Sequence, residues 1–358
     1  MKIKFGWQSI AFEINDYVDQ GVQAEEVGLH SVWIPDHFTD VPPSNDIYEP
    51  WTVLAAIGAK TEKILLGTLA TDSTRRHPAS LAHVVVTLDN LSRGRVILGL
   101  GAGEAFNILP YGLPWEDKAT RLDRLEECVN VIRKLWKSSQ ASPLNFHGRF
   151  YNLEGARLDL HPYGDRRLPI YIAVMGTRRS LQLTGKIGDG WLPWFNTPET
   201  FVEKTAIIDR AAEQMGRSPD QIEKTAVVYL ALTSDPGKQK YLLDSIKPEI
   251  VILMSAGRLA KFGYIVDSGG STNYSYQRCL ASDEDAKRAY EMGAKVPDSV
   301  ASKFLVTGSS RACIDRIEEL ASAGARHIIF RNLLWLHKLE DVRITLDRVG
   351  KDIIPSFS

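Results

Sequence analysis

Asp36 and His37 stand side by side directly after the apolar run SVWIP (31–35). An imidazole titrates near neutral pH, so it can take a proton from a hydroxyl or return one, and a nearby carboxylate can orient it. A lone loop histidine is commonly structural; the position at the end of a strand-like run is what singles out His37. His77, before Pro78, reads instead as a helix-entry residue, and His83, His147 and His161 carry no functional weight. A second carboxylate, Glu104, closes the turn GLGAGE (99–104), where glycines let the backbone approach a ligand. With Asn107 just beyond, this segment reads as a ligand-contacting loop. A third candidate is AVMGTRRS (173–180), where a strand ends, Gly176 follows and a helix begins at Thr177. Amides at a helix N-terminus bind phosphate; an ordinary cap by Thr177 is the alternative. Trp7, Gln8, Trp194 and Phe195 also fall at strand ends as candidate substrate-pocket residues, with Trp7 and Trp194 placed to wall a pocket for a flat ring.

Other chemistries lack their residues. The turn 99–104 follows the fourth strand-like run and lacks the full GxGxxG spacing of a dinucleotide fingerprint. GxxxxGK[ST], HExxH and GxSxG do not occur. Asp36, His37, Asp72 and Glu104 could in principle meet around an ion, but no metal is expected. Cys128, Cys279 and Cys313 form no CxxC pair. Lys+Arg 43 against Asp+Glu 44 gives a net charge of -1, without the basic surplus that nucleic acid requires. No apolar run resembles a signal peptide or a membrane span, so a cytoplasmic protein with no membrane partner is expected.

The elements that must position these residues alternate along the chain. Strand-like runs lie at 3–7, 31–35, 64–70, 95–100, 168–174, 190–195, 224–233 and 326–332. Helix-like segments fall at 15–28, 50–61, 78–92, 118–137, 177–187, 198–216 and 338–350. Strands that are apolar throughout suit a parallel sheet buried on both faces. Eight βα units fit a (β/α)8 TIM barrel, whose active site lies at the C-terminal ends of the strands. Residues 139–167 and 234–325 break the rhythm and are expected to be insertions in βα loops of one domain, 1–358. The second of these could lid the pocket.

The set DHF (36–38), TDSTRRHP (71–78), LSRGRVILGLGAGE (91–104), AVMG (173–176) and GDGW (188–191) resembles the bacterial-luciferase-like flavin superfamily. Within it the match is similar to the branch that uses the deazaflavin coenzyme F420. YEPWTVL (48–54) and NILPYGLPWEDKATRLDRLEE (107–127) look closest to its ketoreductase-like members. The resemblance covers residues 1–195 and, more loosely, 301–335. It implies a barrel with F420 in its mouth, His37 as the base for a substrate hydroxyl, and Asp36 orienting His37 or contacting the cofactor. It implies Glu104 near the pyrimidine edge of the ring. Gly103, Glu104, Ala105 and Asn107 match one phosphate- and tail-binding segment, and Val174, Met175, Gly176 and Thr177 the other. A non-proline cis peptide is implied at Leu69–Ala70, with Thr68–Leu69 as the alternative, and so is a homodimer.

Two departures bear on the substrate. The sugar-phosphate dehydrogenases of this branch carry a Trp shortly after DHF, where Thr39, Asp40 and Val41 stand here. Their phosphate-gripping lysine after strand 6 is replaced by the stretch Trp194, Phe195 and Asn196. A ketone, an alcohol or a planar pterin therefore fits better than glucose 6-phosphate. The expected reaction is hydride transfer between the C5 of F420 and a carbonyl or alcohol carbon. The alternatives are a methylenetetrahydromethanopterin-type reductase, an FMN-dependent monooxygenase and a flavin-binding barrel without catalysis.

Overall fold

Each of the eight apolar runs forms a parallel strand, and the last pairs with the first. In the computed structural model, which describes residues 2–11, 13–39, 47–254, 256–264, 282–332 and 339–357, these are β1 (Lys4–Gln8), β2 (Ser31–Ile34), β3 (Leu65–Thr68), β4 (Val96–Gly101), β5 (Ile170–Ala173), β6 (Gly190–Leu192), β7 (Glu223–Ala231) and β8 (His327–Asn332). Neighbours pair in chain order, and β8 lies between β7 and β1, so the sheet closes into a (β/α)8 barrel. A short extension, Thr71–Asp72, pairs with Leu100 and Gly101 and carries the β3 wall toward the mouth.

Helices follow the strands: α1 (Ile14–Glu26), α2 (Pro50–Lys60), α3 (Pro78–Leu91), α4 (Lys118–Leu135), α5 (Arg178–Ile187), α6 (Pro198–Gln214), α7 (Pro236–Leu253), α8 (Asp283–Gly293), α9 (Ser310–Ser322) and α10 (Leu339–Arg348). Four open on proline, which is pre-set for the first helical turn. Their caps come from Glu49, His77, Thr197 and Asp235. His77 thus serves the helix: its Nδ1 accepts the Ala79 amide at 3.2 Å.

The barrel has its own core, separate from the layer between strands and helices. It consists of Trp33, Leu69, Ile97, Tyr171, Leu192, Val227 and Ile329. The Trp33 indole fits because β1 and β3 carry glycine beside it. A Cβ on Gly67 would come within 2.4 Å of the ring, and one on Gly6 within 2.9 Å of its nitrogen. Beneath, Trp33 Nε1 donates to Ser31 Oγ, which contacts buried His327 Nε2 at 2.7 Å.

The interruption at 139–167 contains a hairpin, Leu144–His147 with Asn152–Ala156. The stretch 234–325 supplies α7, α8 and α9, and a strand the sequence did not reveal, Leu305–Thr307, which pairs parallel with β7. Residues 268–277 of that stretch lie outside the described residues, as do Asp40 and Val41.

Candidate active site

His37 leaves the end of β2 and Glu104 the end of β4, and they meet over the barrel mouth. His37 Nε2 lies 3.1 Å from Glu104 Oε2, with side chains 19% and 27% exposed. Phe106 sets its ring edge-on to the imidazole at a centroid distance of 5.6 Å. The residues on both sides of His37 are pinned. Phe38 donates its amide to Asn107 Oδ1 at 2.7 Å, and Thr39 donates to the same oxygen at 3.3 Å. A short segment fixed at both ends holds its middle side chain in place at the mouth.

Asp36 is fully buried and serves as the other pin. Its Oδ2 accepts from Thr71 Oγ1 at 2.7 Å and from Arg76 Nε at 3.3 Å, and its Oδ1 accepts from Arg75 Nη2 at 2.9 Å. Arg75 also bonds the Asp36 carbonyl and the Asp72 carboxylate. Burial by itself would push the Asp36 carboxyl up, but the two guanidiniums and the Thr71 hydroxyl hold it below its ordinary value. The carboxylate that faces His37 is therefore Glu104, while Asp36 anchors the backbone.

Gly103 and Gly176 both take left-handed backbone, at φ 81 and φ 105. Both line one cleft at the mouth, together with Asn107, Val174, Met175 and Thr177. The Asn107 Nδ2 is buried without a protein partner. Thr177 precedes α5 but gives its first turn no side-chain cap; its hydroxyl bonds Ser180 Oγ at 3.0 Å instead. A helix N-terminus without a side-chain cap beside the cleft suits an anion. Behind Gly176 lies Lys204 of α6, whose Nζ bonds Asn196 Oδ1 and approaches the Met175 carbonyl at 3.4 Å. Burial, reinforced by Arg258 and Lys261, pulls this amine down to about 7.

The peptide Leu69–Ala70 is cis, at the first of the two expected positions, and both residues line the cleft. Above the barrel core, the cleft is lined by Gln8, Leu69, Gly101, Ala173, Trp194 and Arg331, of which Ala173, Trp194 and Arg331 lie two places beyond the core residues Tyr171, Leu192 and Ile329. Gly101 and Ala173 are the smallest of these; a Cβ on Gly101 would come within 3.2 Å of the Ala173 carbonyl oxygen.

Three expectations need correction. Trp7 does not wall the pocket: successive side chains on a strand alternate, and when Gln8 faces in, Trp7 faces α1. It is fully buried and donates its indole N–H to Gln20 Oε1 at 3.0 Å. Phe195 lies beyond the end of β6 in left-handed backbone, at φ 50, and does not line the cleft; its ring stacks on Tyr229 at 5.4 Å. Ala105 is completely buried beneath the loop and does not line the cleft. The sequence reading missed Arg331, a charged residue that looked like a strand terminus, and the α7 face carrying Tyr241, Glu249 and Ile252. Among the described residues, no group of His, Cys, Asp or Glu is arranged to hold a metal ion, and no helix is long and apolar enough to cross a membrane.

A closed parallel barrel with an imidazole–carboxylate pair at its mouth places the chain in a definite class. It belongs to the luciferase-like monooxygenase family, matched over residues 5–327. One relative, an F420-dependent glucose-6-phosphate dehydrogenase of Microbacterium testaceum, is 28% identical over 99% of this chain and 97% of its own. A phthiodiolone/phenolphthiodiolone dimycocerosates ketoreductase of Mycobacterium sp. (strain JLS) is 29% identical over 87% of this chain and 85% of its own. Among solved structures, an F420-dependent secondary alcohol dehydrogenase in complex with an F420–acetone adduct superposes with a TM-score of 0.83, at 24% identity and full coverage of both chains. The coenzyme F420-dependent tetrahydromethanopterin reductase of Methanopyrus kandleri gives 0.81 at 23% identity, again over both whole chains. At these identities the structural likeness speaks for the fold.

Proposed function

We propose that this chain is an F420-dependent oxidoreductase that moves a hydride between the cofactor and the carbonyl or alcohol carbon of a small organic substrate. The dehydrogenase and ketoreductase relatives, which align along most of their length, support the cofactor and the reaction class. The observation that carries the chemistry is the His37–Glu104 contact of 3.1 Å at the mouth.

The residues present fit a flat anionic cofactor. The cleft lined by Leu69, Ala70, Gly101 and Ala173 would take the planar ring. Gly103, Asn107 and the segment Val174–Thr177 offer a buried unpaired amide and uncapped helix N–H groups to a phosphodiester. When bound, the deazaflavin supplies or receives the hydride at its C5.

The chain's own residues do the rest. The His37 imidazole takes the proton of a substrate hydroxyl in oxidation and returns it to the carbonyl oxygen in reduction. Glu104 stabilises the imidazolium that this creates. Asp36, Arg75 and Asn107 keep the His37 segment from moving as its charge changes. Trp194 and the apolar residues of α7 help keep water from the reacting carbon. Assembly as a homodimer and a cytoplasmic setting belong to the same proposal.

The test is anaerobic turnover. Reduced F420 with medium-chain ketones should be consumed in the absence of oxygen. Consumption of reduced FMN only when oxygen is admitted would replace this reading with a monooxygenase.

A further inference from the structure

The cleft holds a second constellation, away from His37. Arg331, at the end of β8, is almost fully buried, and its guanidinium sits between two rings, 5.2 Å from the Trp194 centroid and 5.6 Å from that of Tyr229. Its Nη2 lies 3.2 Å from Glu249 Oε1 of α7, and the Tyr229 hydroxyl bonds the other Glu249 oxygen. Gln8 is the register partner of Arg331 on the adjacent strand. It is 1% exposed and lines the same cleft, and neither its Oε1 nor its Nε2 has a partner. A buried carboxamide with both ends unmet points to a ligand that meets them.

The wall opposite is a helix face. Tyr241, Ser245, Glu249 and Ile252 recur at near-helical spacing along α7 and all line the cleft; Tyr290 of α8 joins them. Tyr241 and Tyr290 are 48% and 44% exposed, an uncovered aromatic surface leading from the mouth.

A buried arginine at a substrate site ordinarily selects a carboxylate or phosphate. Here Glu249 already occupies that role, so an incoming anion would face a like charge. We propose that Arg331 and Glu249 form a charge-neutral specificity pair that admits uncharged substrates and rejects anionic ones, with Gln8 bonding a polar group of the substrate and an apolar chain lying along α7. This defines the substrate class within the hydride-transfer reading and rests on it: an uncharged ketone or alcohol bearing a hydrocarbon chain.

The test uses octanamide and octanoate as probes of this subsite, measured by titration calorimetry on the protein with and without F420. The wild type should bind octanamide at least about ten-fold tighter than octanoate. Lengthening the amide from six to ten carbons should tighten binding about three-fold per methylene as the chain is buried. Glu249→Gln, which keeps shape and removes charge, should tighten octanoate about ten-fold or more. Arg331→Met, which leaves Glu249 unbalanced, should weaken octanoate further and octanamide less. Equal binding of both probes, binding of neither, or an acid-to-amide ratio untouched by Glu249→Gln overturns the inference. Loss of F420 binding with the probe pattern intact would instead count against the hydride-transfer reading alone.

Discussion

The His37 imidazole and the Glu104 carboxylate, 67 positions apart in sequence, meet at 3.1 Å where β2 and β4 end. That pairing divides two tasks between two carboxylates. In the proposed reaction Glu104, partly exposed, responds to proton transfer at His37. Asp36, buried between arginines, cannot, and holds the backbone instead.

If His37 handles the substrate proton, His37→Ala should lower turnover about 10²–10⁴-fold while leaving F420 affinity within a few-fold. Glu104→Gln should also lower turnover. The double variant should lose less than the product of the two single losses, because both act on one proton. Steady-state kinetics with a fluorescence titration of F420 separates the two quantities. Full activity in His37→Ala would remove its assigned role.

Arg75 lies between Asp36 and Asp72, all three nearly fully buried. Arg75→Met should destabilise the fold by about 3–5 kcal/mol, the usual loss when one partner of a buried ion pair is removed. Urea denaturation of the variant measures this. The Asp36 carboxyl is held below its ordinary value of 3.8, so its contribution to stability is complete above that value and is lost as pH falls below it. Asp36→Asn should accordingly flatten the stability curve on the acid side.

Lys204 predicts a pH effect at the other end of the scale. Its folded value of about 7 lies below the ordinary 10.5, so between those values the unfolded chain binds more protons and stability rises with pH. Below about 7 the buried amine is charged and the penalty is fully present. Lys204→Met should be more stable than the wild type at pH 7 and should lose most of the rise between pH 7 and 10. Parallel curves for the two proteins would show that this amine stays charged in the fold.

The barrel core predicts which glycines tolerate no side chain. A Cβ on Gly99 would lie 1.8 Å from the Thr68 carbonyl oxygen, and one on Gly67 would overlap the Trp33 ring. Gly67→Ala should cost about 1–3 kcal/mol through forced repacking, and Gly99→Ala more, since backbone must move. Gly155→Ala, with open space around it but φ 58, is the control for backbone strain alone. Thermal melts of the three rank the effects.

The strands were legible because each is an apolar run set between helical segments: SVWIP, read at 31–35, forms Ser31–Ile34. Candidate site residues at strand ends followed from the architecture, which is how His37 and Glu104 were singled out. Facing was not legible. IKFGWQ alternates, with Ile3, Phe5 and Trp7 on one face and Lys4, Gly6 and Gln8 on the other, but both faces of a barrel strand are buried, so the pattern could not say which face is the inner one; only closure of the barrel fixes that. Phe195 was expected in the pocket beside Trp194, but it lies beyond Leu192, the last residue of its strand, and its positive φ turns it away, which the local sequence does not signal. Arg331 and Glu249 depend on how α7 docks on the barrel, a tertiary relation with no local signal. The pairing of Asp36 with Arg75 and Arg76 joins two loops 39 and 40 positions apart, although TRRHP carried the residues in plain view.

The central claim is tested most directly by equilibrium titration of the purified chain with F420 and, separately, with FMN. The account predicts saturable binding of one F420 per chain, at least about ten-fold tighter than FMN, and weakened by closing the phosphate end with Gly176→Val. Tight FMN binding with no detectable F420 binding would contradict it.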